Sequence, residues 1–147
     1  MSWIETAHER SAGSHTAQLE LECPWWEQAL RQLSAIARLP AGWDSQGSDP
    51  PEPQLVDAAK GLLWLLCAAG DLPQPHINPT PSGGVQFEWE HADRYFEMEV
   101  TDESAAAWFF QDRSARIEVE RELEPGDPLD EAIEFIRRVQ GMDGASR

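Results

Sequence analysis

Two adjacent alternating segments give the clearest hydrophobic pattern in the chain. Over residues 85–100, apolar and polar side chains alternate on both sides of a four-residue break at 91–94. Successive side chains of a β-strand point to opposite faces, so this alternation predicts a hairpin with one apolar and one polar face. We expect the apolar set to enter the core: Val85, Phe87, Trp89, Phe96, Met98 and Val100.

Weaker patterns flank the hairpin. Apolar residues at helical spacing predict three helices, near residues 24–39, 53–69 and 128–140. Residues 105–111 and 116–124 predict two more strands, with a helix as the alternative for the second. Residues 72–81 contain so many prolines that only an extended or edge strand fits. Together these patterns predict an α+β fold, an antiparallel sheet of about four strands between residues 77 and 123, packed on one face by about three helices.

The length of 147 residues fits one domain with its own core. Residues 1–22 have mixed polar composition and no sustained period, so we expect a flexible N-terminal arm, with a short strand over 16–22 as an alternative. The predicted domain covers residues 23–141. Residues 142–147 are expected to form a flexible tail.

The charge balance narrows the class of partner. The chain contains 27 acidic and 11 basic residues, which gives a formal net charge of -16. Nucleic acids and anionic membranes are bound through phosphate-neutralising Lys and Arg. The balance therefore argues against both as direct partners and favours a basic protein.

The chain gives no signal for a membrane span or for paired cysteines. No apolar run approaches ~20 residues and the N-terminal residues are too polar for a signal peptide, which predicts a cytoplasmic protein. Cys23 and Cys67 are far apart without a Cys-x-x-Cys spacing, so neither a zinc site nor a redox pair is indicated. We expect Cys67, in an apolar helical segment, to be a small buried side chain.

The polar face of the hairpin is the main candidate for function. The same alternation that builds the core collects Glu88, Glu90, Glu97 and Glu99 on the opposite surface, where Tyr95 accompanies them. Three interpretations stay open: a solvated outer face, a docking face for a basic partner with aromatic residues at its rim, and a metal site that includes His91. We favour docking as the functional interpretation and predict these five residues as partner-binding.

Catalytic motifs are missing from the sequence. His76 and His91 each have the chemistry of a general base, but no nucleophile or second acid is indicated beside either. The sequence contains no nucleophile elbow, no phosphate-binding glycine loop and no paired-histidine zinc motif. We therefore predict no catalytic residues, no resident metal and no cofactor.

The loop around Trp43 and Asp44 is the second candidate. Trp43 follows a glycine and precedes an Asx-type turn, so it is either an exposed recognition residue or an anchor that plugs the gap between two helices. We favour the anchor, with Asp44 bonded back to the loop backbone.

Two motifs carry a resemblance to a known family. The Gly42-Trp43-Asp44 loop, the leucine-rich helix after it and the Gly-Gly-Val-Gln-Phe-Glu-Trp run at 83–89 resemble a widespread family of small bacterial proteins of unassigned activity. The resemblance covers about residues 30–100 and departs at Ser45, where the family usually has glycine. It implies a component of a two-gene bacterial module, of toxin–antitoxin or defence type. The functional positions that it implies are Trp43, Asp44, Glu88 and Trp89.

These observations lead to one functional hypothesis and three alternatives. The hypothesis is a non-enzymatic acidic protein that binds a basic protein partner, as an antitoxin, immunity or adaptor subunit. The first alternative is a nucleic-acid mimic that inhibits a DNA- or RNA-binding protein, and the second is a metal-dependent enzyme that uses the carboxylates and His91. The third is a subunit of a larger assembly, with an apolar patch on the C-terminal helix or the N-terminal arm.

Overall fold

A five-stranded antiparallel sheet forms the centre of the computed structural model, which describes residues 2–11 and 23–141. The strands follow one another in sequence order across the sheet, so each neighbouring pair is joined by a short turn. They are β1 (His76–Pro79), β2 (Val85–His91), β3 (Arg94–Asp102), β4 (Ala105–Asp112) and β5 (Ile117–Leu123).

The predicted hairpin is formed by β2 and β3. Val85 lies opposite Val100, Phe87 opposite Met98 and Trp89 opposite Phe96, and the whole apolar set is buried. The α+β class is confirmed, with five strands instead of about four. The fifth strand is β1, which confirms the edge-strand alternative for residues 72–81. Prolines at 75, 79 and 81 limit its pairing to four residues.

Within residues 2–11 and 23–141, four helices pack against the sheet, where the sequence predicts about three. They are α1 (Trp3–Ser11), α2 (Trp26–Ala37), α3 (Pro53–Ala68) and α4 (Asp130–Val139). α3 is the most apolar of them and buries Leu62, Leu63 and Leu66 completely. None of these helices, within the described ranges, is long and apolar enough to cross a membrane.

The N-terminal helix α1 differs from the flexible arm that the sequence predicts. Trp3 is only 1% exposed, and its backbone N–H donates to the carbonyl oxygen of Glu103 at 3.2 Å. α1 packs on α3 at Gly61, where the missing side chain leaves room for the Trp3 backbone. This docking depends on one tryptophan and one glycine far apart in the sequence, so no local periodicity predicts it. The remainder of the predicted arm, with its alternative strand, and the predicted tail lie outside the described residues.

A disulfide joins Cys23, which precedes α2, to Cys67 near the end of α3. The two Cα atoms are 5.7 Å apart although the residues are separated by 44 positions. The expectation of unpaired cysteines is therefore corrected, while the predicted burial of Cys67 is confirmed. The pairing arises because α2 and α3 pack together, a tertiary relationship that cysteine spacing alone does not contain.

Candidate functional site

The strand registers gather the polar side chains of the sheet on one surface, which we call the outer face. It consists of the side chains of β2 to β5 that alternate with the core residues. In its central row, Glu88 lies opposite Glu97, Glu97 opposite Phe109, and Phe109 opposite Glu120. The other two rows are Gln86, Glu99, Ala107 and Glu122, and Glu90, Tyr95, Gln111 and Glu118.

Two groups of carboxylates flank an apolar strip on this face. One group is the predicted set on β2 and β3, and the other lies on β5. Between them, β4 contributes the half-buried ring of Phe109 and the exposed Ala107. At a strand spacing of about 4.8 Å, the glutamates of β3 and β5 are about 10 Å apart across the strip. A shallow depression of about 420 Å³ lies here, and six of its lining residues belong to the outer face: Glu97, Glu99, Ala107, Phe109, Glu120 and Glu122.

Tyr95 and Glu97 form a hydrogen-bonded pair within the row of carboxylates. The Tyr95 hydroxyl donates to Glu97 Oε1 at 3.2 Å and accepts from Gln86 Nε2 at 3.3 Å. Partial burial raises the pKa of Tyr95 well above its ordinary value, and the charges of Glu97 and Glu88 add to this effect. The hydroxyl is therefore a donor at every physiological pH.

Glu97 is the least favourably placed carboxylate of the face. Partial burial raises its pKa, as do the charges of Glu88 and Glu99, while the hydrogen bond from Tyr95 opposes the shift. Its ionised form is thus destabilised relative to a glutamate in water. A cation brought to this position would relieve that cost.

The other predicted glutamates are held in different ways. Glu99 Oε2 accepts from Thr80 Oγ1 at 3.0 Å, and Glu88 Oε1 accepts from Asn78 Nδ2 at 3.3 Å. Glu90 pairs with Arg113 at 3.7 Å, and both side chains are exposed. Within the part of the chain that the structure describes, the other three predicted glutamates form no ion pair. Most of the charge on β2 and β3 is therefore left without a neutralising partner.

The sequence interpretation missed the second half of the face. Glu118, Glu120 and Glu122 belong to a segment whose strict alternation indicates a strand, but its glutamate content kept a helix open. Once the segment is placed beside β4, the register puts all three carboxylates on the outer face. Phe109 was missed because its neighbours Trp108 and Phe110, which point to the core, dominate the apolar signal.

His76 and His91 lie on opposite faces of the sheet. His91 lies two residues beyond Trp89 on β2, so its side chain points to the same face of the sheet as Trp89. Glu88 and Glu90 point to the opposite face, and His91 does not join them. His76 lies opposite Glu88 on the outer face and is exposed. No group of three His, Cys, Asp or Glu side chains that suits a metal ion occurs within residues 2–11 and 23–141.

The loop before α3 differs from its prediction in one respect. Asp44 bonds back to the loop as expected, accepting from the backbone N–H groups of Gln46 at 3.0 Å and Ser48 at 3.3 Å. The hydroxyl of Ser48 also donates to it and is the main cause of its lowered pKa. Trp43 is only half-buried and is not packed on the core; its indole N–H donates to the Asp49 carbonyl at 3.3 Å. It therefore anchors its own loop and does not plug a gap between helices.

Comparisons of the chain with protein-family models, with curated proteins and with solved structures find no match. The resemblance carried by the Gly42-Trp43-Asp44 loop and the hairpin accordingly stays a prediction.

Proposed function

We propose that this protein is a non-enzymatic interaction protein whose outer face binds a basic protein partner. One observation carries the proposal: seven glutamates share a single sheet face with the half-buried rings of Phe109 and Tyr95. Charge supplies selection for the partner, and the aromatic rings supply contact area at the centre of the face.

Repulsion between neighbouring carboxylates on the outer face is a cost that a bound cationic partner would relieve. Carboxylates placed directly opposite each other, as Glu88 and Glu97 are, destabilise a sheet by about 0.2–1 kcal/mol. The raised pKa of Glu97 points in the same direction. A Lys or Arg side chain placed between these carboxylates would remove the repulsion, so the free protein carries a cost that the complex does not.

The biological role within this proposal is that of an antitoxin, immunity or adaptor subunit of a bacterial conflict or defence module. The support for it is the sequence resemblance together with the acidic face, since carboxylates on one surface attract the basic surface of a protein partner. The metal-dependent enzyme receives less support, because His91 faces away from the carboxylates that it would have to join.

The compartment forms a separate part of the proposal. The sequence predicts the cytoplasm, whereas disulfides persist mainly in oxidising compartments. Action in the cytoplasm therefore requires Cys23 and Cys67 to be reduced there. Both cysteines are buried, so cells are lysed directly into denaturant that contains an alkylating reagent. Alkylation of both cysteines supports the cytoplasm, and alkylation of neither contradicts it.

Capture of the natural partner from a bacterial lysate tests the docking proposal. Wild-type protein, the double reversal Glu88→Lys/Glu97→Lys and the control reversal Glu27→Lys/Asp57→Lys serve as parallel baits. Both variants change the formal charge by four units, but Glu27 and Asp57 lie exposed on helices. We expect a basic protein to be retained by the wild type and the control, and lost from the face variant.

Salt and competition then separate docking from mimicry. Association with the captured protein should slow as ionic strength rises, because exposed charges are screened beyond about 8 Å at 0.15 M salt. Salt-independent binding that survives the face reversal would show that the outer face is not the docking surface. If duplex DNA competes with this protein for the captured partner, the result would favour nucleic-acid mimicry as its function.

A further inference from the structure

The two edges of the sheet differ in how open they are. β1 has four residues and ends at Pro79, which has no N–H to offer a further strand. β5 has seven residues and no proline. Its register with β4 is continuous, without the shift that interrupts the pairing of β3 with β4. Within the described ranges no strand covers its other side, so the backbone groups of β5 that point away from β4 have no strand partner. The Glu120 carbonyl oxygen accepts a hydrogen bond from Arg121 Nη1 at 2.9 Å, which an added strand would have to displace or avoid.

The side chains along this edge are sorted by face. Glu118, Glu120 and Glu122 point to the outer face, whereas Ile117 and Val119 point to the inner one. Arg121 also points to the inner face, where it pairs with Glu131 of α4 at 3.2 Å. Ile117 is 44% exposed, an unusual degree for a large apolar side chain in this protein. A strand added beside β5 would continue the alternation, with its outer side chains about 5 Å from the glutamates and its inner side chains beside Ile117 and Val119.

We propose that the open edge of β5 binds an extended segment of the partner by strand addition, and that this segment alternates basic with apolar residues. The inference rests on the proposed function and adds the conformation and sequence pattern of the bound segment. Backbone hydrogen bonds provide affinity, and the two sets of side chains provide selection.

The same edge disfavours a second copy of this chain. Two β5 strands paired antiparallel, with their outer faces on one side, would place one row of glutamates opposite another. A basic strand turns this repulsion into attraction. The charges of β5 therefore protect the free edge from self-association and leave it open to a segment of opposite charge.

The probe is a blocked seven-residue peptide of alternating arginine and valine, beginning and ending with arginine. Calorimetric titration of the full chain gives its dissociation constant, and amide hydrogen exchange locates it. We expect protection to rise at residues 117–123. A peptide of the same composition with the four arginines grouped before the three valines should bind at least ~10-fold more weakly, because it lacks the alternation. Equal binding of the two peptides would overturn the proposal.

Backbone methylation tests strand addition directly. In a β-strand, alternate residues direct their N–H groups to opposite edges. Of two peptides, N-methylated on the valines or on the inner arginines, one should lose at least ~10-fold in affinity and the other should bind like the unmodified peptide. Equal binding of both would show charge attraction without strand addition, leaving the docking proposal intact and this inference wrong.

Two charge reversals separate this edge from the rest of the face. Glu120→Lys should weaken binding of the alternating peptide at least ~10-fold. Glu88→Lys should leave it within ~2-fold, because β2 lies about 19 Å from the added strand, beyond the Debye length of about 8 Å. An equal loss in both variants would contradict the β5 site while still supporting the outer face.

Two further outcomes would also overturn the inference. One is failure of the alternating peptide to bind the folded wild type. The other is a dimer in sedimentation, with residues 117–123 protected from exchange in the absence of peptide, which would assign the edge to a second copy. The lysate capture described above depends on neither result, so the docking proposal and the strand-addition proposal can fail separately.

Discussion

Glu88 and Glu97 lie directly opposite each other on β2 and β3, and the hydroxyl of Tyr95 donates to Glu97. Two carboxylates thus share one cross-strand position on a partly buried surface. Such a pair is unfavourable in the free protein, and its relief by a cation is the physical basis of the proposed docking. The first prediction concerns this cost.

Replacing Glu97 with glutamine should stabilise the protein at neutral pH by about 0.2–1 kcal/mol, because it removes a carboxylate that faces like charges. The pKa of Glu97 is raised in the folded state, so folding favours its protonated form. The penalty is therefore absent below the ordinary pKa of 4.5 and develops as pH rises through the folded-state pKa.

Urea unfolding at pH 3.5 and pH 7.5 measures this difference. The gain from Glu97→Gln should be present at the higher pH and disappear at the lower one. Glu122→Gln is the matched control, because Glu122 is exposed and lies opposite Ala107 on β4. A gain for Glu97→Gln that is the same at both pH values would show that carboxylate repulsion is not its source.

Reduction of the Cys23–Cys67 disulfide should lower the free energy of unfolding by about 4 kcal/mol, the chain-entropy value for a loop of this length. The double variant Cys23→Ala/Cys67→Ala should lose a similar amount and then become insensitive to reductant. Urea titrations with and without reductant measure both quantities. The stabilising role would be contradicted if the urea midpoint of the wild type were the same with and without reductant, once both thiols are shown to be free.

Gly61→Ala should destabilise the protein by about 1–3 kcal/mol despite the higher helix propensity of alanine. A Cβ at this position would lie 2.7 Å from the carbonyl oxygen of Trp3, so α1 would have to move. The loss should shrink in a Trp3→Ala background, where α1 docking is already weakened. If the effects of Gly61→Ala and Trp3→Ala on the free energy of unfolding were additive, the clash with α1 would not be the cause of the destabilisation by Gly61→Ala.

Ser45→Gly should stabilise the loop before α3 by about 0.5–1 kcal/mol, because a left-handed backbone costs a non-glycine residue ~1–2 kcal/mol. Ser45 has a φ of 63°, the region that glycine adopts freely. Ser104→Gly is the control: it lies in another exposed turn, without a positive φ, and should be destabilising. Thermal unfolding measures the stability of both variants. A loss of stability in both would contradict backbone strain at Ser45.

Alternation and helical spacing predicted the strands and helices whose buried side chains repeat at regular positions within the element itself. The hairpin, the α+β class and α3 follow from side chains that repeat on one face of their own element. The hairpin glutamates followed for the same reason. Asp44 was also predictable, since an Asx turn needs only the neighbouring backbone.

Features that depend on contacts between residues far apart in the chain could not be predicted from the sequence. The docking of Trp3 needs the gap at Gly61, and the disulfide needs two helices to meet. The glutamates of β5 joined the face only when its register with β4 was known. Trp43 was misplaced because its indole N–H is satisfied by a carbonyl within the same loop, which makes burial between helices unnecessary.

Docking through the outer face is decided by the dissociation constant of the captured basic partner. It should be measured by titration at about 0.15 M salt for the wild type, Glu88→Lys/Glu97→Lys and Glu27→Lys/Asp57→Lys. We expect a loss of at least ~30-fold for the face variant, about 2 kcal/mol, and a change within ~3-fold for the control of equal charge. Equal losses in the two variants, or no loss in either, would contradict docking through the outer face.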